Sequence, residues 1–332
     1  MLGLALLPLL GVLPITPAGA PAPLAHTYSI VARDSVTGEL GVAVQSHYFS
    51  VGPVVPWAES GVGAVATQSL VLVDYGPRGL DLMRTGMTAK QALAALMAAD
   101  PGVDGRQVAM IDARGEVAAH TGKGCIPDAG MHVGAQYSVQ ANLMSNARVW
   151  PAMAEAYEHA RGDLGERMLQ ALEAGEKAGG DIRGRQSAAI LVVKGTPSGR
   201  PWADRVLDLR VEDHPQPLVE LRRLMRLRRA YDLEDQGDNA ISDHRPEAAM
   251  TAYEAAMKLA PDVVELQFWA AVSMVTNGRE QEGLALFRKV FARERRWIEL
   301  VPRLAKVGLF PDDAKRIAEV TAQGGAARSG AK

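Results

Sequence analysis

Two periodicities alternate between residues 27 and 215. Tyr28–Arg33 and Leu40–Gln45 are short apolar stretches either side of Asp34-Ser35-Val36-Thr37-Gly38, where the Asp side chain can bond its own backbone and Gly accepts a positive φ. This pattern predicts an opening hairpin. Val62–Gln68 reads as a third strand. Thr88-x-x-Gln91 is a capping box, followed by Leu93, Leu96 and Met97 on one helical face and stopped by Asp100-Pro101-Gly102. Gln107–Ile111 and Glu116–His120 flank Asp112-Ala113-Arg114-Gly115 as a second hairpin, and Tyr137–Leu143 is a further strand. Pro151 suits the first turn of a helix running to about Ala160. Asp163-x-x-Glu166 opens another, with Leu164, Met168, Leu169 and Leu172 turned inward and Gly179-Gly180 beyond its end. Ser187–Val193 is a near-continuous apolar run, the mark of a strand buried on both faces. Val206–Glu212 alternates and closes the region. Strands fall in antiparallel pairs and helices in runs, so the fold class is α+β rather than a doubly wound parallel sheet. Two facing sheets with helices outside satisfy both the buried strand and the amphipathic helices.

The period changes after residue 215. Leu218–Asp235, Pro246–Leu259, Val263–Thr276 and Gln281–Arg293 are helical, with stops at Pro261 and Asn277-Gly278. Tyr253 and Phe287 stand 34 residues apart, and Ala255-Ala256 precedes Leu259-Ala260-Pro261. In this period and ending the segment resembles tetratricopeptide repeats. The longer spacing in the first repeat predicts that Asn239–His244 loops out. Two repeats do not bury a continuous core, so this small all-α helical-repeat domain, residues 216–320, is expected to pack on the first domain or on another subunit, or to offer a groove to a protein partner. Residues 321–332 are expected to form a flexible tail.

Residues 1–25 are apolar and uncharged. The run Leu2–Leu13 is too short to span a bilayer, which takes ~20 residues, and its length suits the apolar region of an export signal with small residues near Ala25. The expectation is a periplasmic or secreted protein, or a cytoplasmic one if the segment is not a signal. Across the whole chain 36 Lys and Arg meet 38 Asp and Glu, for a net charge of −2, which argues against nucleic acid as a partner and against a basic membrane sensor. A single cysteine, Cys125, excludes an internal disulfide framework. Cys125 and His132 match no zinc spacing, and Gly61-x-Gly63-x-x-Ala66 sits inside a predicted strand instead of opening a helix, so neither a metal nor a nucleotide cofactor is expected.

Four ordered motifs carry a family resemblance. They are Thr27-Tyr28-Ser29-Ile30-Val31-Ala32-Arg33-Asp34, Gly41-Val42-Ala43-Val44-Gln45-Ser46, Gly61-Val62-Gly63-Ala64-Val65-Ala66-Thr67-Gln68, and Gly179-Gly180-Asp181-Ile182-Arg183-Gly184-Arg185-Gln186-Ser187-Ala188. Together they resemble the domain of unknown function ten-twenty-eight, of the N-terminal-nucleophile (Ntn) hydrolase superfamily, over about residues 27–215. The resemblance implies a four-layer αββα sandwich and, by superfamily analogy, cleavage of an amide bond in a small or peptide-like substrate by an enzyme that assembles as a homo-oligomer.

In such a hydrolase the first residue of the mature chain attacks with its side chain and uses its own α-amine, of pKa ~7.7–8.0, as the base. The resemblance places Thr27 in that role, which requires removal of everything through His26. It also makes Gln45 and Ser46, Thr67 and Gln68 substrate-contact positions, Asn142 an amide donor, Asp181 the group orienting the amine or the Thr27 hydroxyl, and Arg183 a partner of Asp181 or of a substrate carboxylate. A non-catalytic scaffold working through its helical repeats is the competing expectation.

Overall fold

The computed structural model describes residues 24–325; all but the last two residues of the expected leader, and the expected tail from residue 326 on, lie outside that range. The chain divides into two compact units between Arg222 and Arg223.

The first unit begins with strands β1 (Leu24–Ala25), β2 (Thr27–Arg33), β3 (Leu40–Ser46), β4 (Pro56–Glu59) and β5 (Gly63–Leu70). Helices α1 (Tyr75–Arg84) and α2 (Ala89–Ala99) follow, then β6 (Arg106–Asp112), β7 (Val117–Thr121), β8 (Gly130–Gly134) and β9 (Tyr137–Ala141). Helices α3 (Val149–His159) and α4 (Leu164–Lys177) and strands β10 (Ser187–Val193) and β11 (Arg205–Val211) complete the α+β pattern. One antiparallel sheet runs β1-β5-β6-β7, with β4 also pairing with β5, and a second runs β11-β10-β3-β2-β9-β8.

Strand parity decides which side chains meet between the sheets, because successive residues point to opposite faces. Val31, Val42, Val44, Ala64, Ala66, Ala109, Ile111 and Ala189 form one buried cluster there. The opposite parity of β5 and β6, Val65, Val108 and Met110, packs with Tyr75, Leu80, Leu93 and Leu96 of α1 and α2. On the other sheet, Gly41 of β3 lies against Met168 of α4. The Thr88–Gln91 capping box forms, and Asp163 caps α4 by accepting from the Glu166 amide at 2.8 Å.

Helix α1 is not legible in its own sequence, since Gly76, Pro77 and Gly79 are poor helix formers. Tertiary packing supplies the reason. A Cβ on Gly76 would lie 2.3 Å from the Trp57 ring, and one on Gly79 2.8 Å from Met110, so the glycines allow the helix to close on the sheet.

Helix α5 (Pro217–Ser242) begins in the first unit, and its later turns open the second. It continues through Asn239–Ser242, where the repeat spacing predicts a loop, so that extra segment is absorbed into the helix. Helices α6 (Pro246–Leu259), α7 (Val264–Thr276) and α8 (Glu280–Arg293) lie where the sequence predicts helices. Phe268, Phe287, Val290 and Phe291 are buried together, with the Phe268 and Phe287 rings edge-on at 5.6 Å. Two unpredicted helices, α9 (Val301–Lys306) and α10 (Ala314–Ala322), add Val301, Leu304 and Val320 to that core. They extend the apolar core of that unit. Among the described residues no helix is long and apolar enough to cross a membrane.

Candidate active site

The chain changes sheets at His26. Ala25 pairs with Ser69 in the first sheet, whereas Thr27 pairs with Ser46 in the second. The peptide between them sits at the end of the inter-sheet space, with His26 and Thr27 both buried. The His26 carbonyl accepts hydrogen bonds from Ser46 Oγ at 2.6 Å and from Arg183 Nη2 at 2.7 Å. The Thr27 hydroxyl has two acceptors in reach, the Ala25 carbonyl at 2.8 Å and Ser46 Oγ at 3.1 Å. A carbonyl held by two side-chain donors, one of them charged, with a hydroxyl on the adjoining residue, is the arrangement acyl chemistry uses to collect negative charge on oxygen.

Arg183 is itself fixed. Its Nε donates to Asp181 Oδ1 at 3.0 Å and its Nη2 to Oδ2 at 2.7 Å, a two-point grip on a carboxylate with no side-chain exposure. The Arg183 amide and the His47 amide complete the Asp181 shell at 2.9 and 3.3 Å. Gly179 and Gly180 (φ 133° and 57°) adopt backbone conformations that other residues rarely do, and this bend leads Asp181 into a bridge with Met144. Asp181 therefore touches Arg183 rather than Thr27, and it acts on the site through that guanidinium.

Behind Thr27 lies a buried amide network. Gln107 Oε1 accepts from Gln68 Nε2 at 2.7 Å and from Asn142 Nδ2 at 2.8 Å. Gln107 Nε2 donates to Thr121 Oγ1 and to the Ala141 carbonyl, both at 2.9 Å. Ser29 Oγ donates to Gln68 Oε1 at 2.6 Å and accepts from Gln140 Nε2 at 2.6 Å. The Thr27 carbonyl accepts from the Asn142 amide at 3.1 Å and from Gln68 Nε2 at 3.2 Å. Asn142 Oδ1 accepts from His26 Nδ1 at 2.7 Å, which leaves the buried Nε2 without a partner. Burial lowers the His26 pKa, outweighing the opposing hydrogen bond to Asn142, so the ring is held neutral.

Of the residues named from the sequence, Thr27, Ser46, Gln68, Asn142, Asp181 and Arg183 come together. Gln45 and Thr67 do not. Gln45 stands opposite Tyr28, on the helix-covered face, and its Oε1 accepts from the Tyr28 hydroxyl, which also reaches Glu176 at 2.7 Å. Thr67 turns to the Leu72 carbonyl at 3.0 Å. Both have the wrong strand parity. Ser29, Gln107 and Gln140 join the site without having been named from the sequence. Their legible signal is a polar residue on the inward parity of an otherwise apolar strand, as Gln107 is beside Ala109 and Ile111. Among the described residues no group of three or more His, Cys, Asp or Glu could hold a metal ion. Cys125 is buried, which pushes its thiol pKa up, and its sulfur donates to the Arg106 carbonyl at 3.4 Å.

Comparison with known proteins bears on the same region. No curated protein matches the chain. The crystal structure of protein SPO2555 from Silicibacter pomeroyi, assigned there to DUF1028, is similar at 30% sequence identity and a TM-score of 0.55, over 60% of this chain and 88% of that one. The family of unknown function DUF1028 matches residues 27–221, a span that starts at the residue after the sheet-to-sheet crossing and takes in Ser46, Asn142 and Arg183, and the chain therefore belongs to that family.

Proposed function

We propose that this chain is the precursor of an Ntn-type amidohydrolase in which Thr27, once freed from His26, is the nucleophile. The observation that carries the reading is the His26 carbonyl, gripped by Ser46 Oγ and Arg183 Nη2 beside the Thr27 hydroxyl. In the mature enzyme that oxygen's place is taken by the carbonyl oxygen of a substrate amide. The Thr27 hydroxyl adds to the acyl carbon, its proton passes to the Thr27 amine, and the amine returns it to the departing nitrogen as the C–N bond breaks. Water then hydrolyses the threonyl ester by the same route in reverse. Ser46 and Arg183 neutralise the oxyanion, and losing one such donor costs ~10²–10³ in rate. Two facing sheets flanked by helices are consistent with the αββα sandwich of the Ntn superfamily. The polar shell, without a wide aromatic wall, suits a small or peptide-like amide.

Leu24 and Ala25 pair with Leu70 and Ser69 and continue through His26 into Thr27, so a chain that keeps them has no free Thr27 amine and would be a non-catalytic scaffold acting through its helical segment. One pair of measurements separates the readings. N-terminal sequencing of the protein purified from its own host is expected to begin at Thr27. Thr27→Ala is expected to lower hydrolysis of a panel of amide substrates by ~10³-fold or more with an unchanged far-UV spectrum. A mature chain retaining His26, or an active alanine variant, overturns the enzyme reading.

A further inference from the structure

The second unit contains a cavity of about 480 Å³ whose walls include Glu234, Asp238 and Ile241 of α5, Tyr253 of α6, and Trp269 and Ser273 of α7. That is within the size range of small-ligand sites. Glu234 is only 8% exposed, yet among the described residues it makes no hydrogen bond and no ion pair. Three other carboxylates in the unit do have partners. Asp238 accepts from the Tyr253 hydroxyl at 2.6 Å, Glu265 from the Tyr231 hydroxyl at 3.0 Å, and Asp262 from Arg226 at 3.0 Å. No Lys or Arg lines the cavity. A largely buried carboxylate without a protein partner is disfavoured unless it is neutralised or meets a cation. Ile241, Trp269 and Val272 offer apolar contact for an alkyl stem, and an indole ring attracts a cation placed over its face.

We propose that this cavity binds an alkylammonium or alkylguanidinium group, with Glu234 as its counter-ion and Trp269 as the wall its stem lies against. The group is either a free amine or a Lys or Arg side chain of a partner. The charges that act on Glu234 are all negative: Asp235 and Asp238 on its own helix and Glu265 on α7. With burial as the larger cause, they push its carboxyl up to about 7, so near neutrality it is half protonated until a cation arrives.

The test uses the full chain and titration calorimetry at pH 7 with three probes: agmatine, N-acetyl-glycyl-arginyl-glycinamide, and glutarate as the anionic control. Saturable binding of agmatine identifies a free amine as the ligand, and binding of the tripeptide alone identifies a protein side chain. Glutarate should not bind. Glu234→Gln is expected to weaken the bound probe by tenfold or more while the far-UV spectrum is unchanged. A second readout needs no variant. Binding ionises Glu234, so repeating the titration in buffers of different ionisation enthalpy should show proton release at pH 7 that declines as the pH is raised above 7. Failure of both cationic probes to saturate, or equal binding by Glu234→Gln, overturns the proposal.

Discussion

Replacing Gln107 by methionine tests whether the amide network holds the candidate site together. Methionine matches glutamine in length and shape but offers no comparable donor or acceptor. The wild-type side chain is fully buried and makes its best four bonds to Gln68, Asn142, Thr121 and the Ala141 carbonyl. Gln68 Nε2 keeps the Thr27 carbonyl at 3.2 Å, whereas Asn142 Nδ2 is left with the same carbonyl at 3.5 Å. Stranding the Asn142 donor costs ~1–3 kcal/mol, and each of the other lost bonds ~1 kcal/mol. The buried thioether recovers ~1 kcal/mol of transfer free energy, for a net loss of ~3–5 kcal/mol. Because the chain has two units, global denaturation would mix their transitions. Hydrogen exchange over Gly63–Leu70 and Arg106–Asp112 reads the first unit alone. The slowest amides there should exchange ~10²–10⁴-fold faster in Gln107→Met. A change below ~3-fold would mean that water or a side-chain rearrangement satisfies the orphaned amides, and that the network is not what holds the site in place.

Two further outcomes follow from groups around the first sheet. Asp100 is buried against Arg106 (Nε to Oδ2, 2.9 Å) and accepts from the Gly102 amide at 2.8 Å; burial raises its pKa, but these partners pull it below the usual carboxylate value. A carboxyl with a depressed folded pKa stabilises the protein above its ordinary pKa and loses that contribution as pH falls through the folded value. Asp100→Asn should therefore cost ~3–5 kcal/mol at pH 7, by exchange in β6, and the gap from wild type should narrow below about pH 4. Cys125, buried with a raised pKa, should react with a disulfide reagent at pH 8 at least ~10²-fold more slowly in the folded chain than in urea; equal rates would exclude the buried position.

Local chemistry determined most of the elements. The Asp34–Gly38 and Asp112–Gly115 turns, the Thr88 capping box, the Asp163 cap and the continuous apolar run at Ser187–Val193 each act over a few residues, and each forms where the sequence placed it. Ser46, Gln68, Asn142, Asp181 and Arg183 were legible beside Thr27 because they end or follow strands that a family resemblance could align. Tertiary structure decided what depends on distance. Helix α1 closes on Trp57 and Met110 because Gly76 and Gly79 leave room for them, and α9 and α10 pack onto the core around Phe287. Parity across two sheets removed Gln45 and Thr67 from the site and brought in Ser29, Gln107 and Gln140, since which face a residue serves is set by the sheet opposite. The grip of Ser46 and Arg183 on the His26 carbonyl could not be read along the chain either: it joins residues up to 157 positions apart, and only the crossing from one sheet to the other leaves that oxygen to be held by side chains.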